Sequence, residues 1–177
     1  IGGKFVVCGS GPSLDLSLEK LKKLPSDWTI VACASNYRTL RKAGIEVDIL
    51  CLLERGSHEY ENYLSVSHEF GLGNTKLLAS ITSDSRLHTL FKDSMIYFRP
   101  ALTPLSLFCT DISEILQFEG PQTVNTGIAM CAALGADTVI LVGVDLGTCS
   151  LNKVRSEAAV GLSPRDFPYK VRGNLTD

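Results

Sequence analysis

The stretch Phe5–Leu14, which reads FVVCGSGPSL, joins an apolar run to a glycine-rich loop and then to the first residue of a helical pattern. The unbroken apolar run is typical of a strand covered on both faces of a parallel sheet. Glycines directly after such a strand allow backbone N–H groups to approach an anion, and the next helix adds its positive end. The stretch therefore predicts a strand and a helix joined either by an anion-binding loop or by a tight turn that binds nothing.

Further apolar runs alternate with helical patterns along the chain, which predicts an α/β fold. The helical patterns include a leucine repeat that begins at Leu14, a short segment that ends at Gly44, and an alanine-rich helix from Thr126 to Leu134. Another helix is predicted after Ser83. Because the apolar runs are short and mostly unalternating, we expect a Rossmann-like three-layer sandwich with a mostly parallel sheet. The further runs are residues 29–33, 49–53, 77–79, 95–98 and 139–142.

The composition describes one globular domain, because 177 residues that are 45% apolar and 20% charged can bury a core. A net charge of −2 gives no reason to expect nucleic acid as a partner. No apolar run approaches the roughly 20 residues that span a bilayer, and no signal peptide is visible, so we expect no membrane contact. The six cysteines form no CxxC pair, which favours a reduced, cytoplasmic protein over a secreted one. The oligomeric state is not predicted.

The chain divides into two parts of different character. Residues 1–147 carry the apolar runs and form the predicted nucleotide-binding core, whereas residues 148–177 contain Pro164 and Pro168 and few apolar runs. We expect the second part to be a loop-rich tail, an active-site flap, or the start of a further C-terminal region. Residues 100–120 are the least regular part of the middle, and we expect a helical lid or an insertion there.

Ligands of open α/β sheets bind beyond the carboxyl ends of the strands, so the residues that follow each predicted strand are candidates for a site. Gly9–Ser13 follow the first strand, and Asn36, Glu54 and Asp145 follow the second, third and last. Asn36 also fits a helix N-cap, and Asp145 also fits a turn. Glu54 ends an apolar strand and would face the crevice, although a surface pair with Arg55 is equally consistent with the pattern.

Two common nucleotide-binding motifs are absent. The dinucleotide fingerprint needs a third glycine, where this chain has Leu14, and an acidic residue after the second strand, where it has Ala34-Ser35-Asn36. Binding of NAD is therefore disfavoured. Binding of S-adenosylmethionine is disfavoured for the same reason, because the carboxylate that usually binds its ribose is missing. A Walker A loop needs Gly-Lys-Ser/Thr, which this chain lacks.

Three segments together resemble a known family. They are GSGPSLD at residues 9–15, ASNYRTLRKAGIEVDILCLLER at residues 34–55, and TVNTGIAMCAALGADTVILVGVDL at residues 123–146. The combination resembles the family that groups motility accessory factor (Maf) flagellin glycosyltransferases with 6-hydroxymethylpterin pyrophosphokinase (MptE-like) proteins. The order of the motifs is also similar to that of a bacterial sialyltransferase family with a GxGPSL loop.

The resemblance implies a core that binds a CMP-activated nine-carbon sugar. It assigns Gly9, Ser10, Gly11, Pro12 and Ser13 to the phosphate and cytidine side of the ligand. It places Asn36 near the phosphate or the sugar and Asp145 at the crevice floor, binding ribose or orienting its neighbours. The start of the alanine-rich helix would offer its N-terminus to the nucleotide through Thr123, Asn125, Thr126 and Gly127.

Three functions are open on these grounds. The first is transfer of a sialic-acid-like sugar from a CMP donor to a hydroxyl, such as a flagellin Ser or Thr, with Glu54 or Asp145 as the base. This reaction needs no metal or other cofactor, because loop amides would stabilise the departing phosphate. The second is diphosphate transfer from ATP to a pterin, which would need Mg²⁺. The third is a nucleotide-binding module without catalysis.

The chain departs from both enzymatic patterns. The resembled sialyltransferases use a histidine base after the GxDL strand, and this chain has none there. His58 follows the third strand and could reach the site, but it also fits a solvated helix start. The pterin branch resembles a pattern with several aspartates for Mg²⁺, where this chain has only Glu54. We therefore predict no metal-binding residues.

Overall fold

The computed structural model describes residues 2–54, 56–100, 111, 115–147 and 153–159. Its centre is a six-stranded sheet in which all neighbouring strands run parallel, in the order β5-β4-β3-β2-β1-β6. The predicted α/β fold with a parallel sheet is thus confirmed. The strands are β1 (Lys4–Cys8), β2 (Trp28–Cys33), β3 (Ile49–Leu52), β4 (Lys76–Ser80), β5 (Ser94–Tyr97) and β6 (Thr138–Val142).

Helices connect the strands and cover both faces of the sheet. The predicted helix after Ser83 is a short 3₁₀ helix, Ser85–Thr89, and a second 3₁₀ helix, Ala34–Asn36, precedes α2. No described helix is both long and apolar enough to cross a bilayer. The α-helices are α1 (Ser13–Leu21), α2 (Tyr37–Lys42), α3 (His58–Phe70) and α4 (Thr123–Ala133).

The alternation of side chains along β1 creates two cores. Val6 and Cys8 pack on one face with residues of α1, α2 and α3, such as Leu14. Phe5 and Val7 pack on the opposite face with residues of α4, such as Met130. The sheet is therefore the middle layer of the predicted three-layer sandwich.

Four cysteines lie in these cores as free thiols, namely Cys8, Cys33, Cys51 and Cys131. Burial raises the pKa of the Cys8 thiol to about 12 and that of Cys131 to about 11. A raised thiol pKa keeps the unreactive protonated form, so these residues act as small apolar side chains.

Two predicted features lie mostly outside the described residues. Of the predicted lid, residues 101–110 and 112–114 are not described, and of the second part of the chain, residues 148–152 and 160–177 are not described. The described part of the second region, residues 153–159, contains no helix or strand and packs on the core.

The strand order reverses at β1. From β1 the chain builds outward through β2, β3, β4 and β5, and then returns to place β6 on the other side of β1. The loops that follow β1 and β6 therefore lie side by side at the carboxyl edge of the sheet, and a crevice opens beside them. In doubly wound sheets this switch point is where ligands bind.

Candidate functional site

A crevice of about 620 Å³ opens at this switch point. The segments that follow four strands line it, together with the beginning of α4 and two residues near the end of the described chain. They are residues 9–11 after β1, 33–35 after β2, 53–54 after β3, 143–147 after β6, 121–124 at α4, Glu59, and 154–155.

The loop that follows β1, Gly9–Ser13, is here termed the first loop. Its two glycines are required because it closely approaches the loop after β6. A Cβ atom on Gly9 would lie 2.4 Å from the carbonyl oxygen of Gly143, and one on Gly11 would lie 2.3 Å from Oδ2 of Asp145. The Gly9 N–H donates to the carbonyl of Val142 at 2.7 Å, and the Gly11 N–H donates to that of Gly143 at 2.8 Å. These contacts hold the two loops together along one wall of the crevice.

Asp145 joins the same two loops through its side chain. Its Oδ2 accepts the backbone N–H of Ser13 at 2.9 Å, and its Oδ1 accepts the Ser13 hydroxyl. Ser13 begins α1, where a carboxylate also interacts favourably with the helix dipole. Asp145 lines the crevice and at the same time orients the start of α1.

Most of the backbone N–H groups of the first loop are therefore already hydrogen-bonded within the protein. Three of its N–H groups, those of Gly9, Gly11 and Ser13, donate to acceptors of the chain itself. Gly9, Ser10 and Gly11 line the crevice, while Pro12 is the N-cap residue of α1. The assignment of this loop to a ligand phosphate stays a prediction.

Asn36 lies beneath the crevice and does not line it. Its side chain is fully buried, and its Nδ2 donates to the carbonyl of Cys8. Its Oδ1 accepts the N–H of Cys33 at 3.2 Å. Asn36 thus ties the end of β1 to the end of β2 and caps the 3₁₀ helix in which it lies.

The four residues predicted at the start of α4 face in different directions. Thr123 lines the crevice and donates its hydroxyl to Oε1 of Glu54 at 3.3 Å, while Asn125 closes a capping box with Gln122. Thr126 is buried and donates to the carbonyl of Glu119 at 2.8 Å. Gly127 packs on the sheet, where a Cβ atom would lie 2.9 Å from Val7 and 3.0 Å from Cys33.

A pair of carboxylates forms another wall. Glu54 is held by Thr123 and by the N–H of Leu53, which donates to its Oε2 at 3.1 Å. Glu59 lies in the first turn of α3 with a side chain that is only 15% exposed, and its Oε1 is 3.1 Å from Nε2 of His58. Burial, and then the charge of Glu54, raise the pKa of the Glu59 carboxyl. Glu59 therefore holds a proton to higher pH than an ordinary glutamate does.

Residues 153–159, here termed the strap, cross the first loop and the start of α1. The Ser156 N–H donates to the carbonyl of Ser10 at 2.9 Å, and the buried Ser156 hydroxyl lies 2.9 Å from that of Thr39. Lys153 pairs with Asp15 at 3.0 Å. This path brings Val154 and Arg155 to the crevice.

Sequence reasoning missed Glu59 and Arg155. Glu59 sits among charged residues of an ordinary surface helix, and Arg155 follows a long irregular stretch, so no spacing rule marks either of them. In the described parts of the chain, no group of three or more His, Cys, Asp or Glu side chains could hold a metal ion.

The fold and the site define a Rossmann-like α/β protein with a ligand crevice at the switch point of its sheet. A family model described as "6-hydroxymethylpterin diphosphokinase MptE-like" matches residues 2–150. The chain belongs to this MptE-like family, which confirms the family resemblance drawn from its motifs.

A solved structure adds a second comparison. The chain is similar to the Maf glycosyltransferase from Magnetospirillum magneticum AMB-1, with 38% sequence identity and a TM-score of 0.78. The match covers 84% of this chain and 24% of that protein, so this chain spans about a quarter of the length of that relative. A search of curated proteins found no match.

Proposed function

We propose that this chain is the donor-binding domain of a glycosyltransferase that moves a sialic-acid-like sugar from CMP to a hydroxyl group. The observation that carries the proposal is the 38% sequence identity to a Maf glycosyltransferase over 84% of this chain. The crevice at the carboxyl edge of the sheet gives that proposed activity a place to bind its donor. A flagellin Ser or Thr is the proposed acceptor, and the cytoplasm is the proposed site of the reaction.

The crevice suits such a donor in size and in position. Its volume of about 620 Å³ falls within the range of about 300–1,000 Å³ that is usual for small-molecule sites. The first residues of α4 line it, and the positive end of a helix is a favourable place for a phosphate. The nucleotide phosphate would lie between this helix start and the loops after β1 and β6.

In the proposed reaction Glu59 acts as the general base. Its carboxylate takes the proton of the acceptor hydroxyl, and the acceptor oxygen forms a bond to the anomeric carbon of the sugar. The bond from that carbon to the phosphate oxygen breaks, and CMP leaves with the electron pair. A glutamate with a raised pKa is a stronger base than an ordinary one, which suits this step.

Glu54 and Asp145, the carboxylates predicted as catalytic, have other roles in this proposal. Both Glu54 oxygens already accept hydrogen bonds, from Thr123 and Leu53, and its charge contributes to the raised pKa of Glu59. Asp145 orients the first loop through Ser13. The reaction as proposed uses no metal and no further cofactor.

Thermal unfolding in the presence of nucleotides tests the proposal. A ligand that binds only the folded state raises the unfolding midpoint, so CMP is expected to stabilise the chain with or without Mg²⁺. CDP and ATP, each with and without Mg²⁺, are the comparison ligands. The absence of any shift with CMP would contradict the proposal.

Diphosphate transfer from ATP to a pterin is the second candidate, because the matching family model is that of 6-hydroxymethylpterin diphosphokinase MptE-like proteins. Stabilisation by ATP that requires Mg²⁺, without an effect of CMP, would support this function instead. Binding of CMP without transfer of sugar to any hydroxyl acceptor would support a nucleotide-binding module.

A further inference from the structure

The strap is fastened to the residues that surround the first loop. Ser156 contacts Ser10 through its backbone and Thr39 through its hydroxyl, and its side chain is buried. Asp15, in the first turn of α1, accepts both the N–H of Glu157 at 3.2 Å and the Lys153 ammonium at 3.0 Å. These contacts lie on both sides of Arg155 in the sequence, so they fix the path of the backbone at that residue.

This path places Arg155 beside the first loop. Arg155 directly precedes Ser156, whose N–H is bonded to the carbonyl of Ser10, and both Ser10 and Arg155 line the crevice. A crevice residue of the strap is thus held next to the segment that follows β1.

Arg155 differs in charge from the other ionisable residues of the crevice. Among the described residues that line the crevice, Glu54, Glu59 and Asp145 are acidic, and Arg155 is the one residue with a positive charge. A nucleotide phosphate adds a further negative charge, and like charges in a partly enclosed site repel one another. The planar guanidinium of arginine can donate two parallel hydrogen bonds to a phosphate.

We propose that the strap delivers Arg155 to the phosphate of the bound nucleotide, so that recognition of the phosphate depends on a residue outside the sheet and its loops. This inference rests on the proposed function in one respect, namely that the ligand is a nucleotide. It does not depend on the identity of the base or of the sugar.

Calorimetric titration with CMP and with cytidine tests the inference, because the two ligands differ only in the phosphate. In Arg155→Gln we expect the affinity for CMP to fall about tenfold or more, as for the loss of a charge-assisted hydrogen bond, with the affinity for cytidine unchanged within about twofold. Arg155→Lys should retain part of the affinity for CMP. Lys23→Gln is the matched control, because it removes the same charge at an exposed residue that belongs neither to the strap nor to the crevice lining.

The outcomes separate this inference from the proposed function. If the wild type binds CMP and Arg155→Gln binds it equally well, or loses CMP and cytidine equally, the inference is wrong and the proposed function stands. If the wild type binds ATP rather than CMP, the same variants are titrated with ATP and adenosine, and a selective loss of ATP affinity supports the inference while the proposed function fails. Absence of binding of either nucleotide to the wild type overturns both. Thermal unfolding of each variant verifies that it is folded.

Discussion

Asp145 binds Ser13 with both of its carboxylate oxygens, and thereby joins two loops that are 132 residues apart in the sequence. One oxygen accepts the backbone N–H and the other accepts the hydroxyl. The contact fastens the loop after β6 to the first residue of α1 at the wall of the crevice. Asp145 therefore has an orienting role that is independent of any contact with a ligand.

A double-mutant cycle measures this contact. Asp145→Ala is expected to lower the free energy of unfolding by about 1–2 kcal/mol, the usual effect of losing a carboxylate from a helix N-terminus. Ser13→Ala removes the hydroxyl but keeps the N–H, so a smaller loss is expected. Urea denaturation of both single variants and of the double variant should give a coupling energy of about 0.5–2 kcal/mol, and simple additivity would contradict the contact.

Gly11→Ala is expected to destabilise the chain by about 1–3 kcal/mol, because the added methyl group overpacks the junction of the two loops. The Cβ atom would lie 2.3 Å from Oδ2 of Asp145 and 2.8 Å from the Gly143 carbonyl oxygen. Gly147→Ala is the control in the same crevice, where the nearest described atom, the carbonyl oxygen of Asp145, would lie 3.9 Å from the new Cβ. Equal unfolding midpoints in urea for the two variants would show that the close approach does not matter.

The raised pKa of Glu59 predicts a stability difference with a definite sign. A carboxyl whose pKa is higher in the folded state than in the unfolded state stabilises the fold while it is protonated, and that stability is lost as the pH rises through the folded pKa. Glu59→Gln cannot ionise, so it should be more stable than the wild type at neutral pH. The difference should shrink as the pH falls through the raised pKa of the folded state, and it should vanish below about 4.5, the ordinary value for this carboxyl. Urea titrations across pH 4 to 8 provide the measurement.

The same variant separates a catalytic glutamate from a structural one. If Glu59 is the base of the proposed reaction, Glu59→Gln should lose about 10²–10⁴-fold in the rate of sugar transfer while it gains stability. Glu61→Gln is the control, because Glu61 lies on the same helix with a side chain that is 65% exposed. A transfer rate that is unchanged in Glu59→Gln would exclude Glu59 as the base.

The buried ion pair of Arg99 and Glu119 positions the segment that leads into α4. Their side chains are only 11% and 7% exposed, Nε of Arg99 lies 3.1 Å from Oε1 of Glu119, and the backbone of Glu119 accepts the Thr126 hydroxyl. Arg99→Met leaves a buried carboxylate without its partner, so we expect a loss of about 3–5 kcal/mol. The double change with Glu119→Leu removes both charges and should recover most of that loss in thermal or urea unfolding. A single variant as stable as the wild type would contradict this role.

The fold was largely predictable because its strands are unbroken apolar runs. The apolar runs of the inner strands, from FVVC in β1 to LLA in β4, are largely buried on both faces of the sheet, and a pattern of this kind has few alternatives. The runs of the edge strands β5 and β6 are apolar but more exposed. The order of the strands was not predictable, since nothing in the run VILV of β6 indicates that β6 pairs with β1 at an edge, with Ile140 43% exposed. The helix expected after Ser83 is a single short 3₁₀ segment, which begins where the Asp84 side chain accepts the N–H of Arg86.

The site was predictable at the level of segments and less so at the level of side chains. Topology brings the carboxyl ends of parallel strands to one edge, which is why Glu54 and Asp145 were expected near the glycine loop. Whether a polar side chain points into a crevice or beneath it depends on packing, so the burial of Asn36 could not be read from its position. Arg155 depends on the path of an irregular segment, for which no periodic pattern exists.

The position of β1 between β2 and β6 has a consequence for when the crevice forms during folding. The last strand of the sheet is also the partner of the first, and the acceptors for Gly11 and Ser13 arrive only with residues 143–145. During synthesis β1 has one unpaired edge until nearly the whole domain has been made. Contacts so distant in sequence form slowly, so closure of the crevice should be among the last steps of folding. Only fully folded chains would then bind the ligand. A chain whose synthesis is incomplete would have most of its sheet but no crevice.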